Sequence, residues 1–207
     1  MRVDFGIIKS NTVPAPMLIL ITGAPCTGKT TIAQHLAGKF QLPVVHKDDI
    51  KERLFDRLGW KTDRQWSKLL SLASFDLLYY FIDAQLNAGQ SLIAEANFKA
   101  DFDTPFILGL QELYPFTTFQ IYCYADREIL MQRFVERGNS TERHAGHIDQ
   151  AMAADIQTSL LKNEYRPLEV GGQLVEINTT DLTCLDYSRV TATLAGALGQ
   201  SLKEVAL

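Results

Sequence analysis

Short strand-like segments alternate with longer stretches of helical periodicity along most of the chain. The strand-like segments, rich in apolar and β-branched residues, lie at 17–21, 41–46, 91–98, 116–124 and 173–177. The first of them has no polar position, which is typical of a parallel strand covered on both faces. The alternation predicts an α/β fold, a three-layer doubly wound sandwich with a five-stranded parallel sheet.

The longest helical pattern follows Thr62–Gln65, a segment similar to a capping box, and ends at Gly89. Its apolar positions recur at helical spacing, so we expect them to form one stripe that is buried in the core. The stripe consists of Trp66, Leu69, Leu70, Ala73, Leu77, Tyr80, Phe81 and Ala84.

Length and composition indicate one ordinary globular domain. The chain has 207 residues, and we predict an N-terminal extension at 1–16 followed by a single domain at 17–207. The net charge of −4 offers no general attraction to nucleic acid. Three scattered cysteines, no signal pattern and apolar runs below the ~20 residues that span a bilayer predict a cytoplasmic protein without a membrane partner.

A glycine-punctuated loop joins the first strand to the first helix. Its glycines allow backbone N–H groups to turn toward phosphate oxygens at the positive end of the helix. Lys29 would reach the β- and γ-phosphates, and Thr30 would offer its hydroxyl to Mg²⁺. We therefore predict a nucleoside triphosphate site in which Lys29 is catalytic. The loop residues predicted to bind the nucleotide are Gly23, Ala24, Pro25, Cys26, Thr27, Gly28, Lys29, Thr30 and Thr31.

Two carboxylates, Asp48 and Asp49, come directly after the second strand. In an open parallel sheet, side chains just past a strand's carboxyl end face the ligand crevice. Asp48 is therefore predicted to orient an acceptor hydroxyl and to take its proton late in phosphoryl transfer. The alternative is that both carboxylates only cap the following helix. His46, at the strand end, is expected to be structural.

The third strand ends in Glu95 and Asn97. An acidic residue that ends an apolar strand beside a phosphate loop is predicted to hold the water shell of Mg²⁺. Asn97 would contact the substrate or fix the loop. The alternative is a polar strand end that faces solvent.

Arg133 and Arg137 share one face of a helix that we expect Asp126 to cap. Planar, permanently charged guanidinium groups suit the surroundings of a nucleotide base and a transferring phosphoryl group. The alternative is that both arginines are solvated and paired with Glu128 or Glu136.

The segment 138–147 is short, polar and bounded by glycines, a composition typical of a lid. It carries Arg143, which we place near the acceptor, while a part for His144 or His147 stays open. The polar segment 56–65 is expected to form a wall of the acceptor pocket through Trp60, Lys61 and Arg64, and residues 178–181 are expected to lie beside the adenine ring.

With these residues identified, the chain resembles the P-loop kinases of the adenylate-kinase-like group. It is most similar to the branch of polynucleotide 5′-hydroxyl kinase domains, chloramphenicol phosphotransferase and zeta-toxin-like kinases. The specific parts are Gly23–Thr30, Lys47-Asp48-Asp49-Ile-Lys51, Glu95-Ala-Asn97 and Arg133-x-x-x-Arg137-Gly138. The resemblance implies the P-loop NTPase fold, ATP and Mg²⁺ as cofactors, Asp48 as base, Arg137 on the transferring phosphate and Arg133 near the base of ATP.

Two departures from that branch bear on the acceptor. Lys51 stands where those kinases have an arginine that grips the acceptor, and Glu95 stands in place of an aspartate. We therefore expect an ATP-dependent phosphotransferase acting on a hydroxyl of a small molecule, with Lys51, Asn97 and Arg143 near that acceptor. The alternatives are a kinase of 5′-hydroxyl nucleic-acid ends and a non-catalytic ATP-binding regulator of a partner protein.

Overall fold

The computed structural model describes residues 15–140 and 143–199, and these form an α/β structure around one parallel sheet. Its strands are β1 (Met17–Gly23), β2 (Val44–His46), β3 (Leu92–Glu95), β4 (Thr117–Tyr124) and β5 (Gln173–Asn178). All neighbours pair in parallel, in the order β2-β3-β1-β4-β5. The predicted five-stranded parallel sheet is confirmed. The predicted extension at 1–16 lies almost entirely outside the described residues.

Helices cover both faces of the sheet. They are α1 (Lys29–Phe40), α2 (Lys47–Leu58), α3 (Arg64–Asn87), α4 (Ala100–Leu113), α5 (Arg127–Gly138), α6 (Asp149–Leu161) and α7 (Tyr187–Ala197). Alternate residues of β1 point to opposite faces. Ile19 packs in a core with α1 and α7, whereas Leu20 packs in a second core with α3 and α4. The sheet is therefore the middle layer of three.

The sequence prediction of the buried side of α3 was right for Leu70 and wrong for half of the predicted stripe. The buried residues of α3 are Ser67, Leu70, Ser74, Leu78, Ile82 and Leu86. Within the predicted stripe, Leu69, Leu77, Tyr80 and Phe81 are exposed. Because α3 is apolar around most of its circumference, helical spacing alone defines more than one stripe. The buried serines are small enough to let the helix approach its neighbours. Because serine is polar, a search for apolar positions at helical spacing does not find them.

Several predicted element ends also differ from the structure. Asp63, and not Thr62, caps α3, since its carboxylate accepts a hydrogen bond from the Gln65 N–H at 2.9 Å. Asp126 occupies the N-cap position of α5 but makes no capping hydrogen bond with its side chain.

By length and composition, α3 is apolar enough to cross a membrane. Its sheet-facing side belongs to the core, and core helices of globular proteins pass the same test, so this is weak evidence for a span. A cytoplasmic location without a membrane partner stays a prediction.

Candidate active site

A cavity of about 650 Å³ opens at the carboxyl edge of the sheet, where an open α/β sheet normally binds its ligand. Most of the predicted site residues line this cavity. They are Pro25, Cys26, Gly28, Lys29, Thr30, Thr31, Asp48, Lys51, Glu95, Asn97, Arg133, Arg137 and Arg143. The remaining three, Gly23, Ala24 and Thr27, lie within the loop but not in the cavity wall. The structure thus brings together residues that are up to 118 positions apart, from Pro25 to Arg143.

Backbone conformation defines the loop between β1 and α1. Gly23 has φ of +134°, and a Cβ there would lie 2.0 Å from the carbonyl oxygen of Cys123 on the neighbouring strand. Gly28 has φ of +75° and forms the N-cap of α1. Positive φ favours glycine, and the close approach at Gly23 leaves no room for a Cβ. Between them Cys26 has φ of +67°, and burial raises the pKa of its thiol. The loop therefore needs both glycines to curl around the helix N-terminus.

Lys29 is buried and turned back over this loop. Its ammonium group donates to the carbonyl oxygen of Ala24 at 2.8 Å, and the hydroxyl of Thr27 donates to the same oxygen at 2.9 Å. Among the described residues, no carboxylate forms an ion pair with Lys29. A buried cation needs a compensating anion. The arrangement is suited to a phosphate group bound at this loop.

Glu95 is almost fully buried, which rules out the alternative of a solvent-facing strand end. Its Oε2 accepts from the Thr30 hydroxyl at 3.2 Å and from His46 Nδ1 at 3.0 Å. His46 lies opposite Glu95 in the register of β2 and β3, a pairing that the sequence alone does not show. Burial lowers the pKa of His46, but the hydrogen bond and charge of Glu95 outweigh it and the net shift is upward.

The hydroxyl of Thr30 and the carboxylate of Glu95 are hard oxygen ligands of the kind that Mg²⁺ takes. In residues 15–140 and 143–199 no group of three His, Cys, Asp or Glu side chains is placed to hold a metal. Mg²⁺ usually keeps several waters and binds substrate phosphates, so a pair of protein ligands fits it.

Asp48 lies in the first turn of α2, whose N-cap is His46, so neither Asp48 nor Asp49 is the cap. Lys47 Nζ lies 3.2 Å from Oδ1 of Asp48, and Arg143 Nη1 lies 3.1 Å from Oδ2. Burial alone would raise the pKa of this carboxyl, but Lys47 and Arg143 hold it well below the ordinary 3.8. Asp48 is thus an ionised carboxylate with a cation on each oxygen.

The described part of the predicted lid is packed onto α2 and α3. Gly146 lies against Phe55, where a Cβ would be 2.7 Å from the ring, and its carbonyl accepts from the Ser67 hydroxyl at 3.1 Å. His147 Nε2 donates to Glu52 Oε1 at 2.9 Å. Any opening of this segment would have to break these contacts. Both histidines of this segment are among the described residues, and of the two only His147 lines the cavity.

Asp149, which the sequence analysis missed, links two of the arginines. Its Oδ2 accepts from Arg143 Nε at 3.1 Å and lies 3.3 Å from Arg137 Nε. Arg137 thus pairs with neither Glu128 nor Glu136, and that alternative is wrong for Arg137. The only sequence signal was a carboxylate two positions after the polar lid segment.

Arg133 also pairs with neither of those glutamates. It donates to the carbonyl oxygens of Thr179 at 2.8 Å and Thr180 at 2.7 Å. The guanidinium therefore ties α5 to the loop after β5. Leu182 in that loop comes within 3.1 Å of a Cβ built on Gly28, so the loop borders the phosphate-binding turn. Contact of residues 178–181 with an adenine ring stays a prediction.

The residues predicted to form a wall at 56–65 do not line the cavity, and this prediction was wrong. Arg64 pairs with Asp155, and Lys61 lies over the ring of Trp66 at 4.9 Å. Lys51 does line the cavity and donates to the Ser67 hydroxyl at 3.1 Å. Burial lowers the pKa of Lys51 to about 8.

Comparison with known proteins gives a family and a similar solved structure. A family model described as an AAA domain matches residues 18–158. The crystal structure of a putative kinase from Chloroflexus aurantiacus J-10-fl is 38% identical, with a TM-score of 0.81, and the match covers 88% of this chain and 98% of that one. No curated protein matches the chain.

More distant structures agree in fold. A shikimate kinase from Bacteroides thetaiotaomicron is 15% identical with a TM-score of 0.51, covering 88% of this chain and 98% of that one. A gluconokinase from Sinorhizobium meliloti 1021 is 13% identical with a TM-score of 0.51, covering 89% and 97%. Membership of the polynucleotide kinase branch stays a prediction. The chain belongs to the AAA-domain family, and its fold is that of the P-loop kinases of the adenylate-kinase-like group.

Proposed function

We propose that the chain is an ATP-dependent kinase that transfers the γ-phosphoryl group to a hydroxyl of a small molecule, with Mg²⁺ as cofactor. One observation carries the proposal. A phosphate-binding loop and an ionised carboxylate that is not a helix cap, Asp48, line the same cavity. The loop is suited to bind a nucleotide phosphate, and the carboxylate is suited to orient an acceptor hydroxyl.

At the donor end, the loop N–H groups and Lys29 bind the phosphates, and Thr30 and Glu95 are the candidate ligands of the metal or its water. ATP supplies the transferable group, and Mg²⁺ neutralises part of the phosphate charge. His46 holds Glu95 in place through the hydrogen bond at 3.0 Å. The buried pair keeps the carboxylate directed at Thr30.

At the acceptor end, the hydroxyl would replace one of the two cations on Asp48. Arg143 is the more readily displaced, since it retains its bond to Asp149 when it leaves Asp48. Asp48 then orients the hydroxyl for in-line attack and accepts the proton late, which suits a weakly basic carboxylate in a loose transition state. Arg137, beside the same cavity, meets the charge on the moving phosphoryl group.

Acceptor-dependent release of ADP tests the proposal. Sugars, nucleosides, antibiotics, other small alcohols and 5′-hydroxyl oligonucleotides are supplied separately with Mg-ATP. Release that depends on a small alcohol supports the proposed reaction. Labelled phosphate on an oligonucleotide end alone would replace it with the nucleic-acid kinase. Absence of any acceptor-dependent release, together with ATP-dependent capture of a partner protein, would favour a regulator.

A further inference from the structure

A second cavity, also of about 650 Å³, adjoins the first. It lies between α3, the beginning of α4 and α6. Five residues line both cavities, namely Lys51, Ser71, Asn97, Met152 and Ile156. The two spaces therefore adjoin along a wall that includes Lys51, on the acceptor side of the candidate active site.

Much of the wall of the second cavity is apolar. From α3 it includes Leu72 and Phe75, from α4 Phe102, and from α6 Met152 and Ile156. Leu72 is 66% exposed and Phe102 is 74% exposed, so two large apolar side chains lie uncovered at a concave surface. Apolar surface of this kind, next to a candidate active site, is typical of a ligand pocket.

Four of the seven charged side chains in this wall are paired with each other. Lys68 lies 3.0 Å from Asp155, and Lys99 pairs with Glu164. Asp103 accepts a hydrogen bond from the backbone N–H of Lys99. Lys51 in the same wall donates to the Ser67 hydroxyl. With most of the charged groups bonded within the protein, a ligand here would gain more from apolar contact than from charges of its own.

We propose that the acceptor is a hydroxylated compound with an uncharged aromatic or alicyclic body. Its body occupies the second cavity and its hydroxyl reaches Asp48 past Lys51. The inference rests on the proposed function and names the class of its substrate. A sugar or an oligonucleotide end would bring many polar groups against the apolar wall, where they would lose hydrogen bonds to water.

Two double variants test this proposal. Leu72→Ser/Phe102→Ser removes apolar wall from the second cavity. Leu69→Ser/Leu108→Ser changes side chains of the same two helices that are also exposed but line neither cavity. Because both pairs are exposed, the fold is expected to survive in each, and circular dichroism checks it.

The first measurement is binding, by ligand-observed NMR in the presence of Mg-ADP, of aryl and alicyclic alcohols compared with sugars and linear polyols. We expect the aryl and alicyclic alcohols to bind, and Leu72→Ser/Phe102→Ser to weaken them by about tenfold or more. The control pair should leave that binding unchanged, and both variants should bind ATP as the parent does. Equal binding of polyols, or equal effects of the two variants, overturns the proposal.

The second measurement is phosphate transfer, which separates this inference from the proposed function. Transfer to a polyol with the same KM in the parent and in Leu72→Ser/Phe102→Ser overturns the substrate class and leaves the kinase in place. Selective binding of aryl alcohols without transfer to any alcohol overturns the kinase, and with it the role of these ligands as acceptors. Transfer to an aryl or alicyclic alcohol with a KM raised only in the cavity variant supports both.

Discussion

The proposed donor and acceptor ends of the candidate active site are built in different ways. The donor end is defined by backbone: Gly23 and Gly28 at positive φ, directly between a buried strand and a helix. The acceptor end is a network of side chains, in which Asp48 on α2 is bonded to Arg143, 95 positions away. A backbone-defined site is specified by one short stretch of sequence, whereas a side-chain network depends on how distant elements pack. Proteins that share the same donor end can therefore have different acceptor ends.

The largest expected effect is at the donor end. Lys29→Ala removes the buried cation that faces the phosphates, so transfer should fall by about 10³-fold or more, as measured by ADP release. Lys39→Ala, on the exposed side of the same helix, is the control and should behave as the parent. If Lys29→Ala still binds ATP tightly and turns over, the donor end has been assigned to the wrong residues.

The next largest effect is expected at Arg137, which we place between the two ends of the cavity. An arginine that touches the transferring group is worth about 10³-fold in rate, whereas a surface ion pair is worth ~1 kcal/mol at most. Arg137→Ala should therefore lower kcat by about 10³-fold. Arg137→Lys keeps the charge but loses the planar fork, and should lower kcat by at least ~10-fold.

The matched control for Arg137 is Arg127→Ala, on the exposed first turn of α5. Its kcat should equal that of the parent. Full activity in both Arg137 variants, with folding intact, would limit this residue to its structural pair with Asp149.

The acceptor end should lose rate without losing the nucleotide. Asp48→Asn should lower kcat by about 10²-fold or more while ATP affinity changes little, because the residue acts mainly in the transition state. Asp49→Asn is the control, since Asp49 lies in the same helical turn but is exposed. Equal kcat in Asp48→Asn and the parent would leave Asp48 with only its ion pairs to α2 and Arg143.

The smallest expected effect concerns stability at the acceptor end. Burial lowers the pKa of His147 from 6.5 to about 2, so below pH 6.5 the unfolded chain binds a proton that the folded chain does not. Stability should therefore fall on acidification, by about 1 kcal/mol between pH 6.5 and 5.5 for this group. His46, whose pKa is raised, contributes stability that is lost as pH rises above 6.5, outside this window.

Urea unfolding at pH 6.5 and 5.5 measures this change. His147→Gln should lose less stability between the two pH values than the parent, whatever its stability at pH 6.5. His35→Gln, on the exposed side of α1, should lose as much stability between pH 6.5 and 5.5 as the parent does. If the two variants show the same pH dependence, the buried His147 is not the group that titrates.

The sequence specified the donor end better than the acceptor end for a physical reason. The residues from β1 to Thr30 are contiguous, and a parallel sheet brings all strand ends to one edge, which placed Asp48 and Glu95 correctly. The partners of these groups were not predictable in this way. The pair of His46 with Glu95 depends on strand register, and that of Arg143 with Asp149 on how the lid segment packs. Similarly, α3 has apolar residues on more than one side, so periodicity could not choose its buried face.

The cations on Asp48 bear on wasteful hydrolysis of ATP. A kinase that holds ATP beside a free carboxylate also activates water, and so consumes the nucleotide with no product. Here Lys47 and Arg143 each pair with one carboxylate oxygen, and although 40% of the Asp48 side chain is exposed, a lone water has to compete with both cations for these oxygens. Only a molecule large enough to make further contacts would free Asp48. We expect the arrival of the acceptor itself to start the reaction, and nucleotide turnover in its absence to be slow.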